Sequence, residues 1–168
     1  GKSFEELSDQ IFLRDWFTSG SRIEQFTFSD DTTLTAGAML QFIGTEGDDV
    51  VHGFTTDSTF MDSLGNDAFQ GQSANDQYRF GDGGGNDVVT DSAGQDTLSF
   101  SEGISPDDVK VSWRQGTNTI VLSYGANGGN TISLTDWYLA GNRIEQIVFH
   151  DGTIWTPTDV INRMGTDE

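Results

Sequence analysis

Between Gly44 and Phe100 the apolar positions recur every ninth residue. Val51, Phe60, Phe69, Tyr78, Val89 and Leu98 occupy the eighth position of six consecutive nine-residue units: 44–52, 53–61, 62–70, 71–79, 82–90 and 91–99. Only Phe80-Gly81 interrupts the register. The sixth position carries a second, polar series: Asp49, Ser58, Asp67, Asp76, Asp87 and Asp96. A fixed period shared by an acid and an apolar residue marks a repeat architecture. Each unit holds a strand of about three residues, too short to stand alone, so like strands must stack. The long turns between them reverse the chain, so two units make one coil. Alternate turns then lie on the same side, about 4.8 Å apart. The eighth-position side chains point inward as a thin core, and distortion is expected near Phe80-Gly81.

A longer repeat flanks this region. Ile11 to Leu40 matches Ile132 to Ile161 without a gap, at a constant offset of 121 residues. Each copy predicts a short strand (Ile11–Leu13; Ile132–Leu134), a tight turn carrying Trp16 or Trp137, and a glycine, Gly20 or Gly141, where positive φ is needed. A second strand follows, Ile23–Phe28 or Ile144–Phe149. Asp151-Gly152 is a strong hairpin signal and Asp30-Asp31 a weaker one. Each copy closes with a short helix. Thr156 caps one, with Pro157 at its first position and Gly165 as its stop, and Thr35 caps the other before Ala36–Gln41. Between the nonapeptides and the second copy, Ser105-Pro106-Asp107-Asp108 reads as one capped helical turn. Val109–Trp113 and Thr119–Tyr124 read as an antiparallel hairpin, able to cover the open end of the stack. The offset fits one and a fraction units of a tandem array; a stand-alone domain with paired caps is the other reading. The divisions are an N-terminal cap over 1–43, a metal-binding coil over 44–100, and a hairpin and cap module over 101–168.

Charge narrows the chemistry. The 168 residues carry 27 acids against 8 Lys and Arg, a net charge of −19. That excludes the basic footprint of a nucleic-acid binder and disfavours anionic membrane surfaces. No apolar run reaches the ~18 residues of a membrane span. Without cysteine there are no disulfides or thiolate metal sites. Twelve Phe and four Trp supply a core and argue against disorder.

The acids and glycines fall where a cation would. Glycines let turn carbonyls point into the gap between stacked turns, and the sixth-position acids add carboxylates. Six to eight oxygens at about 2.3–2.6 Å describe Ca²⁺. The candidate ligands are Gly44, Glu46 and Asp49 in the first turn, with Asp57 standing in for Ser58 in the second. Asp62, Ser63, Leu64, Gly65 and Asp67 follow in the third, and Gly71, Ser73 and Asp76 in the fourth. Gly83, Gly85 and Asp87 serve the fifth, and Ser92, Gly94 and Asp96 the sixth. Asp49 pairs with Asp67, Asp67 with Asp87, and Asp76 with Asp96, for about three to four ions.

These units resemble the RTX (repeats-in-toxin) calcium-binding nonapeptide Gly-Gly-x-Gly-x-Asp-x-U-x, where U is large and apolar. Gly44–His52 and Gly71–Arg79 keep much of it. Asn75–Asp87, Asp96–Phe100 and Gly103–Val109 look like the haemolysin-type calcium-binding proteins, and the segment around Asp136-Trp137-Tyr138 through Phe149–Trp155 is similar to that family's associated C-terminal module. The departures are Asp at the first position in 62, 82 and 91, a second glycine only at Gly83, and Ser58. The resemblance implies an all-β fold: a right-handed parallel β-roll flanked by antiparallel strands and short helical caps. It also implies Ca²⁺ between turns, bacterial type I secretion and folding after export.

Other chemistry is weaker. His52 and His150 are isolated and lack zinc-site spacing. Paired carboxylates also serve glycoside hydrolysis, but catalysis does not require them to be periodic, so no enzyme is expected. The four tryptophans read as core rather than a sugar platform. The expected role is a calcium-binding structural and export-folding unit with neighbouring repeats of a parent chain as partners. The alternative is a Ca²⁺-dependent polysaccharide-binding or adhesin module.

Overall fold

A computed structural model describes residues 11, 13–18, 20–125 and 128–164. The chain is all-β with short helical caps, as expected. An N-terminal hairpin, β1 (Gln25–Thr27) and β2 (Thr33–Thr35), leads into α1 (Ala36–Met39) and a 3₁₀ turn over Leu40–Phe42. Six strands follow: β3 (Val50–His52), β4 (Thr59–Met61), β5 (Ala68–Gln70), β6 (Gln77–Phe80), β7 (Asn86–Thr90) and β8 (Thr97–Phe100). The remainder comprises β9 (Lys110–Trp113), β10 (Ile120–Tyr124), β11 (Asn130–Leu134), β12 (Gln146–Val148), β13 (Ile154–Trp155) and α2 (Pro157–Arg163).

The nonapeptide strands alternate between two parallel ladders. β3, β5 and β7 pair in one sheet, and β4, β6 and β8 in the other. The eighth-position residues form two inward stacks, Val51–Phe69–Val89 and Phe60–Tyr78–Leu98, all buried. The Phe60 and Tyr78 rings stack nearly parallel, with centroids 4.9 Å apart.

Phe80-Gly81 does not distort the coil. The first of the two extra residues extends β6, where Phe80 pairs with Phe100 and packs edge-on against Phe69 at 5.8 Å. Phe80 is buried, so the insertion thickens the core and leaves the register on either side intact.

The C-terminal module lengthens both ladders by one strand. β11 adds in parallel to β7, with Leu134 opposite Val89. β12 adds in parallel to β8, with Ile147 opposite Leu98. Both apolar stacks therefore continue through buried Leu134 and Ile147. β9 and β10 form the expected hairpin against β11, and β13 closes the second sheet. Phe100, Tyr124 and Phe149 join coil and module, with ring centroids 5.1 and 5.3 Å apart. Capping boxes at Ser105/Asp108 and Thr156/Asp159 start the two expected helical turns. The stop at Gly165 lies outside the described residues.

The first copy of the long repeat differs. Ile11 and Leu13 are not in a strand, and Phe12 lies outside the described residues. Their counterparts Ile132 and Leu134 are held between β7 and β10, and among the described residues the first copy has no such pair of neighbours. Thr35 caps α1 by accepting from Ala38 N–H at 3.1 Å, and Leu40 and Ala36 pack the end of the coil at β4. Asp15 and Asp136 both take φ of 54° in the tryptophan turn. Gly20 has the expected positive φ, but Gly141 does not. A Cβ at Gly141 would stand 2.9 Å from the Ser92 carbonyl oxygen, so close approach explains that glycine.

Candidate metal centre

The coil superposes alternate turns, and the sixth-position carboxylates link them. Asp67 Oδ1 accepts the Asp49 backbone N–H at 2.9 Å, and Asp87 Oδ1 accepts that of Asp67 at 2.9 Å. On the opposite side Asp76 accepts from Ser58 at 2.7 Å and Asp96 from Asp76 at 2.8 Å. Each acid thus ties its own turn to the turn one coil earlier. The fifth position runs the other way: Asp48 accepts from Asn66 and Asn66 from Asn86, while Asp57 accepts from Asn75 and Asn75 from Gln95. Asp57 therefore belongs to this fifth-position ladder. Ser58 closes its own turn, accepting from Phe54 N–H at 3.1 Å and donating to the Thr56 carbonyl.

Among the described residues, two groups of three carboxylates converge. Asp62, Asp67 and Asp87 form one, and Asp76, Asp91 and Asp96 the other, with ligand atoms within 4.8 Å of one another in each. Each group combines the first and sixth positions of one unit with the sixth position of the stacked unit. The first-position acids Asp62 and Asp91, which replace the glycine of the nonapeptide, complete the two clusters. Asp62 is among the ligands expected from sequence; Asp91, at the same position of the sixth unit, is not.

Burial and mutual charge raise these acids. Burial, with Asp87 nearby, lifts Asp62 to about 7, and burial with Asp91 and Glu145 nearby lifts Asp96 to about 7. Burial raises Asp76 and Asp87 to about 6 and also raises Asp91. Among the described residues, buried oxygens of three of them, Asp62 Oδ1, Asp87 Oδ2 and Asp96 Oδ2, have no hydrogen-bond partner. Buried polar atoms are ordinarily partnered, so these atoms mark places for a cation. Tyr78 donates its hydroxyl to Asp91, and burial holds that phenol above its usual range. Tyr124 has a buried, unpartnered hydroxyl and is raised by burial and by Asp62.

Glycine makes the room. A Cβ on Gly71 would strike the Tyr78 hydroxyl and the Asp91 carboxylate, and one on Gly84 would strike Asp62. Gly85, at φ 110°, faces the Gly65 carbonyl oxygen, and Gly94 faces that of Ala74, so a side chain at either would collide with backbone. An all-oxygen donor set, orphaned carboxylate oxygens and glycine cradles fit a hard divalent cation such as Ca²⁺.

The other candidate ligands are more dispersed. Asp49 Oδ2 accepts from the Thr45 backbone and hydroxyl at 2.7 and 2.9 Å. Gly44, Glu46, Leu64, Ser73 and Gly83 are exposed. Ser63 donates to Asp67 at 2.9 Å and Ser92 to the Gln72 carbonyl. Glu145, not anticipated from sequence, closes the second ladder: its Oε2 accepts the Asp96 N–H at 2.8 Å. The first ladder closes differently, with buried Ile132 opposite Asp87.

The family model described as haemolysin-type calcium binding protein related domain matches residues 3–38 and again residues 121–159. Over these two segments the chain is similar to the haemolysin-type calcium-binding family. The two matched segments are the flanking copies of the long repeat, and in this calcium-binding module the second copy supplies Glu145 and β12 to the coil. No curated protein matches the chain. Among the described residues no helix is long and apolar enough to cross a membrane.

Proposed function

We propose that the chain is a Ca²⁺-triggered folding unit of a secreted bacterial protein, with its principal ions at Asp62/Asp67/Asp87 and Asp76/Asp91/Asp96. The unpartnered, buried Asp87 Oδ2 and Asp96 Oδ2 carry this reading. Without cation, each cluster sets carboxylates against one another. Two charges ~4 Å apart repel by about 4 kcal/mol at an effective dielectric near 20. A bound Ca²⁺ supplies the opposing charge and uses the orphaned oxygens. At ten times its Kd, each independent site adds about 1.4 kcal/mol to folding, so binding and folding are coupled. Ca²⁺ is scarce inside cells and abundant outside, which suits a chain exported unfolded that folds after secretion. The acids hold a cation and perform no turnover in this reading; assays on glycan and ester panels test that. Circular dichroism and calorimetry test the rest. Chelation should remove most of the β signal, and two strong Ca²⁺ should bind per chain. An unchanged spectrum and melting temperature in excess EGTA would overturn it.

One observation favours a second role. Trp16, Trp137 and Trp155 are buried, but Trp113 and Tyr138 are 49 % and 40 % exposed and line one shallow groove with Thr117 and Asn118. Exposed aromatic faces beside polar side chains suit a polysaccharide. Retention on insoluble polysaccharides, lost in Trp113→Ala, would support this role, and no retention on any polymer would remove it.

A further inference from the structure

The two copies of the long repeat share a surface that is filled in one and open in the other. In the second copy, Glu145 and Gln146 clamp the backbone of Asp96 from both sides. Glu145 Oε2 accepts the Asp96 N–H at 2.8 Å, and the Gln146 N–H donates to the Asp96 carbonyl at 3.2 Å. β12 then continues in parallel along β8. Ile132, Ile144 and Phe149 are each at most 3 % exposed there.

The first copy repeats the parts without the contact. Glu24 and Gln25 occupy the positions of Glu145 and Gln146, and β1 that of β12. Among the described residues β1 pairs only with β2, whereas β12 pairs with both β13 and β8. The residues equivalent to that buried trio lie open: Ile11 is 90 %, Ile23 43 % and Phe28 49 % exposed. The opposite side of this first copy is engaged, since α1 and the 3₁₀ turn after it pack on β4. The edge of β1 turned away from β2 is thus a second example of an interface the molecule already builds once.

We infer that Glu24, β1, Ile23 and Phe28 form a docking surface for the last turn of another aspartate-bearing nonapeptide coil, joined ahead of this module in the same polypeptide. The occupant must offer a parallel strand whose sixth-position residue presents N–H to Glu24 and carbonyl to Gln25, with an apolar eighth-position residue to cover Phe26. A second copy of this chain does not offer that strand edge, because β11 and β12 already cover it. The surface is defined by backbone pairing and apolar burial, so the inference does not depend on which cation the coil holds.

The test repeats residues 44–121 ahead of Gly1 in the full chain, preserving the 121-residue period. Amide exchange at Gln25 and Thr27, followed by NMR in Ca²⁺, should slow at least tenfold relative to the unextended chain and approach that of Gln146 and Val148. Ile23→Asp, at an exposed position, should abolish the slowing in the extended chain and leave exchange in the unextended chain unchanged. Fast exchange at Gln25 and Thr27 in the extended chain, whether or not the added coil orders, would overturn the inference. So would slow exchange that appears in the unextended chain and grows with protein concentration, since a second copy would then be the occupant.

Discussion

Glu145 holds the backbone N–H of Asp96 at 2.8 Å, so a residue of the C-terminal module takes the place a sixth-position aspartate holds elsewhere in the coil. The contact joins the edge of the Asp76/Asp91/Asp96 cluster to the strand that carries Ile147. Glu145→Ala should leave that N–H unsatisfied and destabilise the protein by about 1–3 kcal/mol. Ca²⁺ affinity at the adjacent cluster should fall with it. Calorimetry should show one weakened site and one unchanged, and urea titration followed by Trp137 and Trp155 fluorescence should show an earlier midpoint. Equal weakening of both sites would mean that Glu145 acts on the fold as a whole.

Asp87 and Asp96 separate the two centres. Each has one oxygen committed to a backbone N–H and a second, buried oxygen without partner. Asparagine preserves shape and one acceptor but removes the charge. Asp87→Asn and Asp96→Asn should each reduce the Ca²⁺ stoichiometry by one, and the double variant by two, with nearly additive loss of melting temperature because the clusters share no residue. Loss of both ions on either single change would show the two centres to be one cooperative unit.

The period of the apolar eighth position made the coil readable, because each unit repeats one local conformation and nothing distant is needed to find Val51 or Phe69. The sixth-position acids were legible for the same reason. Asp91 was not: its carboxylate reaches Asp76 and Asp96 only once two turns are stacked. Glu145 was hidden more deeply. It meets Asp96 across 49 residues through a parallel pairing that no local pattern announces. The effect of Phe80-Gly81 was also invisible locally, because an insertion is harmless only where the added side chain finds a partner, here Phe100.

Gly85 tests the tightness of the stack. Its φ of 110° and the Gly65 carbonyl facing it leave no space for a methyl group. Gly116 also has positive φ, 80°, but has nothing within 4 Å of the methyl position. Gly116→Ala should cost about 1 kcal/mol, the backbone term alone. Gly85→Ala should cost at least about 2 kcal/mol more, since strain and collision add, and it should weaken Ca²⁺ binding at Asp62/Asp67/Asp87. Matched chemical denaturation of the two variants measures the difference; equal costs would mean that adjacent turns can slide apart without penalty.

Acid should substitute for metal. In the chelated protein, burial holds Asp62 and Asp96 near 7 and Asp76 and Asp87 near 6, above an ordinary value of 3.8. Between about pH 4 and 7 the folded state therefore binds more protons than the unfolded chain, and stability must fall as pH rises through that window. The stability that these acids withhold at pH 7 returns on acidification, as protonation removes the repulsion a cation would otherwise neutralise. Ca²⁺ reverses the trend, because it binds the deprotonated carboxylates. Its affinity should drop as pH falls below 7, and binding near pH 6 should release protons. Circular dichroism in EGTA should show more β signal at pH 5 than at pH 7.5, and thermal melts in excess Ca²⁺ a higher midpoint at pH 7.5 than at pH 5. A chelated protein that is least stable at pH 5 would show that the clustered acids are already charged in the folded chain and that their burial does not drive the calcium requirement.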